Sequence, residues 1–130
     1  MKSFEPVYKE LEYLLIQKLP KCIEKINKEH NDGINLKPFE NISLEENCIK
    51  TPSFIFNIEE SEYSEKDRII ENTVFTVSLE IKLEANKQNK TIILWRYFEA
   101  IEMTINSNEY WQECKINKTF KDRLFLRILV

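Results

Sequence analysis

Glycine and histidine are nearly absent, with one of each among the 130 residues. Loops that cradle phosphate need several glycines for close backbone approach, so Gly33 alone cannot form a Walker-type or dinucleotide-binding loop. His30 has no second histidine or nearby cysteine, so it cannot anchor the usual zinc, iron or copper sites. We predict that His30 is a solvated residue near a helix end, and that the protein holds no metal and no other cofactor.

Cysteines and long apolar runs are also scarce. Cys22, Cys48 and Cys114 are odd in number and widely spaced, which suits neither a disulfide framework nor a zinc knuckle and predicts buried free thiols. There is no run of about 18 apolar residues, and Glu5 precedes any apolar segment of the kind that a signal peptide needs. We therefore expect no membrane partner and a cytoplasmic location in the producing cell.

The composition is that of a folded, water-soluble domain, with 42% hydrophobic and 32% charged residues. The 22 acidic and 19 basic side chains give a net charge of -3, so there is no general attraction to nucleic acid or anionic lipid. A chain of this length is long enough for one core and too short for two. We predict a single domain over residues 1–130.

Helical periodicity is clear from Pro6 to about His30, where apolar residues recur every three or four positions. Ser3 is a plausible cap, and Asn31-Asp32-Gly33 is expected to end the helix. Pro20 removes one backbone hydrogen bond and predicts a kink or a break into two helices. The predicted apolar face comprises Val7, Leu11, Leu14, Leu15, Leu19, Ile23 and Ile26.

Two strands are predicted in the middle of the sequence. The continuous apolar run Phe54–Ile58 indicates a strand that is covered on both faces and central in its sheet. The alternation from Asn72 to Leu83 indicates a long strand with one wet face. Between them, the polar stretch Glu59–Arg68 is expected to form the tip of a long antiparallel hairpin, too long for a tight two-residue turn.

Helical spacing returns from about Thr91, a candidate cap, to Asn106, and two closing strands follow. The last of these, Leu124–Val130, is apolar and should be paired within the sheet or against another subunit. The order is therefore α-β-β-α-β-β. It predicts an α+β fold, with a mainly antiparallel sheet of about four strands and two helices packed on one face.

A search for chemistry finds no nucleophile elbow, Walker loop or His-Glu-x-x-His motif, so we expect no enzymatic activity. Five aromatic side chains could form a base-stacking platform, but only Arg96 lies alongside to track phosphates. We therefore favour core packing for all five. They are Trp95, Tyr97, Phe98, Tyr110 and Trp111.

An acidic cluster lies in the predicted hairpin. Paired carboxylates can perform acid-base chemistry or hold magnesium, but a hairpin tip rarely supplies the rigid shell that either needs. Lys66 and Arg68 lie beside these acidic residues and partly neutralise their charge. Two interpretations are therefore open: a solvated loop, or a charged surface that faces a partner. The cluster comprises Glu59, Glu60, Glu62, Glu65 and Asp67.

Four segments together form a pattern: the first helix, Thr51–Glu59, Glu71–Leu83, and Leu94–Ile101 with Ile105. Their pattern resembles that of phage tail terminator and head-tail joining (neck) proteins. The chain departs from that family's pattern at Pro20 and in the strand region after Trp111.

This resemblance implies a structural component of a tailed phage or prophage, located in the virion. Such a protein forms a ring, often a hexamer, on the end of the tail tube and contacts tail-tube and neck proteins. DNA passes through its lumen without specific binding. The resemblance makes the five acidic residues of the cluster candidates for facing the lumen or a partner.

Two other functions remain open. An acidic single-domain binding protein, immunity-like or antitoxin-like, would capture a basic partner and would share the net negative charge. A small enzyme could assemble its active site from residues scattered beyond any motif.

Overall fold

The computed structural model describes residues 4–39, 42–43, 52–66, 69–84 and 87–130; for residues 42–43, 60, 62–66 and 69–72 it describes the backbone only. The helical and strand elements follow the predicted order, with one short additional strand. The helices are α1 (Phe4–Glu12), a π-helical segment (Tyr13–Lys18), α2 (Leu19–His30) and α3 (Lys90–Ile105). The strands are β1 (Ile42–Ser43), β2 (Ser53–Lys66), β3 (Ile69–Lys82), β4 (Glu113–Phe120) and β5 (Arg123–Leu129).

The strands form one sheet in the order β1-β2-β3-β5-β4, in which every pairing is antiparallel except that of β1 with β2. The prediction that Phe54–Ile58 lies centrally is wrong, because the outer neighbour of β2 is only the two-residue β1. Ile55 is nonetheless 1% exposed. Burial on both faces of a strand therefore did not require a central place in the strand order. The closing strand β5 is paired on both sides within the sheet.

One face of the sheet packs against the helices. Strand β3 contributes Phe75, Val77, Leu79 and Ile81 to a single buried cluster, as its alternation predicts. The seven apolar residues predicted for the first helical face are all buried in the same cluster. Strand β5, which pairs with β3 in the sheet, contributes Leu124, Leu126 and Ile128 to the same cluster. The predicted packing of the helices on one face is confirmed.

Pro20 does not interrupt the N-terminal helical stretch. The chain changes from α to π geometry at Tyr13 and returns to α geometry at Leu19. There the Leu19 N–H donates to the Leu14 carbonyl, five residues earlier. Because Pro20 follows directly and has no N–H, the wider turn accommodates the missing donor without ending the helix. The predicted kink or break is thus a π-helical segment, and Ser3 lies outside the described residues.

Helix α3 begins one residue earlier than predicted and is capped differently. Asn89, not Thr91, is the N-cap residue, with φ 59° in the left-handed region. Asparagine tolerates that conformation better than most residues, because its short polar side chain can bond locally. The helix ends at Ile105, one residue before the predicted end.

Two side chains of α3 form hydrogen bonds with the segment that follows α2. Arg96 Nη1 donates to Asp32 Oδ1 and to the Ile34 carbonyl, at 3.0 and 2.9 Å. The hydrogen bond from Arg96 holds the pKa of Asp32 well below its usual range. The Tyr97 hydroxyl donates to the Lys37 carbonyl at 2.6 Å, and burial raises the pKa of Tyr97 to about 12.

His30 is the last residue of α2, and Asn31 follows in the left-handed conformation, so the predicted helix end is confirmed. The His30 side chain is 37% exposed, and its Nε2 lies 4.0 Å from Glu99 Oε2. Cys114 is a buried free thiol as predicted, whereas the free Cys22 is only partly buried. Cys48 lies outside the described residues. Among the helices that the structure describes, none has both the length and the apolarity to cross a bilayer.

Candidate assembly surface

The hairpin of β2 and β3 projects past the rest of the sheet. Its pairing runs from Ser53 opposite Lys82 to Lys66 opposite Ile69, whereas β5 pairs with β3 only between Val74 and Glu80. The segments 63–66 and 69–72 therefore extend beyond the third strand by about 13 Å, at about 3.4 Å per residue. We call these two segments the hairpin arm.

The prediction of a long polar connection between the two strands is wrong. Only two residues, 67 and 68, separate the paired Lys66 and Ile69, so the strands continue through the acidic stretch. A polar run shows no alternation of apolar and polar residues, and this is why the sequence pattern favoured a loop. Register shifts between Ile58 and Glu60 and between Ser64 and Glu65 mark irregularities in the same stretch.

Of the five predicted acidic residues, only Glu59 has a described side chain. It is exposed, and its Oε1 accepts a hydrogen bond from Ser78 Oγ at 2.6 Å, on the sheet face away from the helices. Asp67 lies outside the described residues. The other three are placed by their backbone in β2, with Glu60 opposite Thr76, Glu62 opposite Val74 and Glu65 opposite Ile70.

The sequence concentrates negative charge along this hairpin. Residues Glu59–Glu71 contain six acidic and two basic side chains, an excess that is larger than the net charge of the protein. Part of this charge lies beyond the third strand, since Glu65 and Glu71 belong to the hairpin arm, whereas Glu60 and Glu62 lie opposite β3 residues that also pair with β5.

An open groove of about 570 Å³ lies beside the base of the hairpin, between the start of α1 and β2. Its floor is aromatic: the Tyr8 ring meets Phe56 edge-on at 5.2 Å, and Phe4 meets Phe75 edge-on at 5.5 Å. Burial, followed by a hydrogen bond to Glu12, raises the pKa of Tyr8. The full lining is Phe4, Glu5, Tyr8, Phe56, Asn57, Ile58, Glu59 and Ser61.

Strand β4 forms the opposite edge of the sheet, and basic side chains line it. Glu113 Oε1 is 3.1 Å from Lys115 Nζ, and Glu113 Oε2 is 3.0 Å from Arg127 Nη1. The hydrogen bond from Lys115 is the main reason that the pKa of Glu113 is lowered. Lys118 and Lys121 instead lie over aromatic rings, at 4.7 Å from the Phe125 centroid and 5.3 Å from the Phe120 centroid.

Two of the five aromatic residues predicted to pack in the core are exposed. Tyr97, Phe98 and Trp111 are buried, but Trp95 is 64% exposed and Tyr110 is 60% exposed. Trp95 lies off the helical period that buries Ile93, Arg96 and Tyr97, so the spacing did carry the signal. It lines an open cleft of about 420 Å³ that reaches the turn between β4 and β5, together with Thr91, Leu94, Phe98, Thr119, Lys121 and Asp122.

Two observations bear on chemistry in the part of the chain that the structure describes. There, no three His, Cys, Asp or Glu side chains come together as metal ligands. Burial raises the pKa of the Cys114 thiol to about 12, which keeps it protonated and poorly nucleophilic at neutral pH. Three surfaces stand out: an acidic hairpin, an apolar groove, and a basic edge with exposed aromatic rings.

Comparison of the chain with protein-family models, curated proteins and solved structures finds no match. Its function is therefore argued from its own surfaces.

Proposed function

We propose that this protein is a structural component of a tailed phage or prophage, a tail terminator or head-tail joining protein that forms a ring at the end of the tail tube. In this proposal the chain assembles with copies of itself and contacts tail-tube and neck proteins, in the virion. Its role is assembly and not catalysis.

The hairpin arm is the observation that carries the proposal. A two-stranded ribbon is marginally stable alone in water, and independent stability needs a third strand or a packed apolar face. Among the described residues, β5 stops at Leu129, opposite Val74, and leaves the arm without a third strand. A neighbouring copy in an assembly would supply the missing contacts.

The charge of the hairpin fits a ring around DNA. The acidic excess between Glu59 and Glu71 repels the phosphate backbone, so DNA could pass through a lumen lined by such residues without being held. The candidates for this surface remain Glu59, Glu60, Glu62, Glu65 and Asp67, which face either the lumen or the adjacent subunit in this proposal.

Electron microscopy of the purified protein in negative stain tests this function. We expect closed rings of uniform copy number with an open centre wide enough for duplex DNA. Fields of small compact particles at the highest workable concentration, with no rings, would contradict a ring-forming role.

The alternative is an acidic binding protein, immunity-like or antitoxin-like, that captures a basic partner. The projecting acidic hairpin also favours this function, because charge complementarity steers association with a partner of opposite sign. A stable monomer that captures one basic protein in a one-to-one complex would favour the alternative over the ring.

A further inference from the structure

The two edges of the sheet carry opposite charge. The hairpin of β2 and β3 is acidic, whereas residues 113–122, which comprise β4 and the following turn, contain three basic and two acidic side chains. Both of these acidic residues, Glu113 and Asp122, lie on an edge where the basic side chains are more numerous. A sheet with one acidic and one basic edge has the complementarity that joins copies head to tail.

Lys118 and Lys121 are the basic side chains on this edge that are available to a partner. Among the described residues, neither ammonium group has a carboxylate within 4.0 Å. By contrast, Lys115 is paired with Glu113, and the neighbouring Arg123 is paired with Glu80. Each ammonium group lies instead over a ring that is itself at least partly exposed. An acidic partner could therefore pair with them without displacing an existing ion pair.

Strand β4 is also an open edge for backbone pairing. Among the described residues it is the outermost strand over Glu113–Phe120, and it pairs with β5 alone. An unpaired edge of eight residues is a template for another strand, and lysines on such an edge discourage pairing with anything but an acidic strand. On the other side of the sheet, β2 pairs with β1 only at Phe54 and Ile55 among the described residues, so its acidic stretch from Glu59 onward has an open outer edge.

Exposed aromatic side chains flank this edge. Phe120, the last residue of β4, is 60% exposed, and Trp95 is 64% exposed in the cleft that includes Lys121. Exposed aromatic residues beside a charged rim are typical of protein interfaces. The edge thus combines backbone groups, an apolar anchor and positive charge.

Symmetric pairing of like edges is disfavoured. A two-fold contact between two β4 edges would bring basic edges together, and one between two β2 edges would bring acidic edges together, which is repulsive in either case. Pairing of the outer edge of β2 in one copy with the β4 edge of the next removes both conflicts. Such a head-to-tail contact closes into a ring when its rotation allows it.

We propose that the outer edge of β2 in the acidic hairpin of one copy docks along the β4 edge of the next, with the β2 segment that contains Glu60 and Glu62 placed alongside Lys118 and Lys121. This inference rests on the proposed ring and assigns its subunit contact. It places these glutamates at the subunit interface and not on the lumen.

Charge reversal at each edge tests the contact, with light scattering after size-exclusion chromatography as the readout. The variants are Lys118→Glu with Lys121→Glu, Glu60→Lys with Glu62→Lys, and all four changes in one chain. Each pair alone should weaken self-association roughly tenfold or more, and the fourfold variant should regain the wild-type mass. Lys25→Glu with Lys28→Glu, on the exposed face of α2, is the matched control and should keep the wild-type mass.

The outcomes separate the two proposals. A wild-type ring that persists unchanged in both reversed pairs overturns this contact and leaves the proposed function standing. A fourfold variant that remains dissociated while its circular dichroism matches that of the wild type also overturns it. A wild-type chain that never self-associates overturns the contact and the ring together.

Discussion

Ser78 donates a 2.6 Å hydrogen bond to the Glu59 carboxylate, and this bond joins β3 to β2 within the part of β3 that also pairs with β5. Ser78 is 2% exposed, whereas Glu59 is exposed. The pair therefore links the first of the acidic candidate residues to the buried surface of the fold.

Replacing Ser78 with alanine should lower the free energy of unfolding by about 1 kcal/mol, the usual net value of one hydrogen bond. The cost stays small because the Glu59 carboxylate remains hydrated when its donor is lost. Urea unfolding measures the loss, and the exposed Thr119→Ala is the control. An equal effect of both changes would mean that the bond contributes nothing specific.

We expect a larger loss of stability when a side chain in the interior of the sheet is truncated. Leu79 is 0% exposed at the centre of β3, so Leu79→Ala should cost about 2 to 5 kcal/mol through lost burial and a residual cavity. Ile92, on the outer side of α3, is 38% exposed, and Ile92→Ala should cost less than about 1 kcal/mol. Denaturant unfolding of the two variants should separate them clearly, and similar losses would contradict the assigned core.

Acid should weaken the attachment of the segment after α2. The folded-state pKa of Asp32 is depressed by Arg96 below the unfolded value of about 3.9. Its contribution to stability is therefore fully present above the unfolded pKa and is lost as the pH falls through the folded pKa. Asp32→Asn should lower the unfolding midpoint at pH 7, and the difference from wild type should shrink below about pH 4. A difference that does not change with pH would contradict a contribution from the ion pair.

Cys114 should resist thiol reagents in the folded protein, because it is buried and its pKa is raised to about 12. Labelling with an aromatic disulfide reagent at pH 8 measures this. Cys114→Ser should leave the number of thiols that react in the native state unchanged, and should reduce the number in denaturant by one. A loss of one native-state thiol would show that Cys114 is accessible.

Much of the fold could be predicted from residue spacing. The helical face from Val7 to Ile26 and the alternation of β3 each reflect a single buried side, which imposes a period of 3.6 or 2 on the sequence. All seven residues of that helical face and the four β3 residues in the core are buried as expected. Where an element is buried on one side only, the spacing of its apolar residues was sufficient to predict the element and its buried face.

The rest depended on tertiary context. Nothing local in Phe54–Ile58 distinguishes a central strand from one beside the two-residue β1, since strand order is set by pairing across the chain. The arm was missed because the run from Glu59 to Arg68 is mostly polar and shows no apolar period. Asn89 preceded Thr91 as the cap because it accepts the left-handed conformation. The sequence indicated the acidic hairpin as part of the candidate surface. It did not indicate the exposed Trp95 or the β4 edge, because these depend on how α3 and β4 pack.

The solution mass of the purified protein over a wide concentration range, from light scattering after size-exclusion chromatography, tests the central claim that copies of this chain assemble through the hairpin. The account predicts one mass at a whole-number multiple of 15.7 kDa, with three or more copies, decreasing at high salt as charge pairing is screened. A mass of 15.7 kDa at every concentration would contradict it.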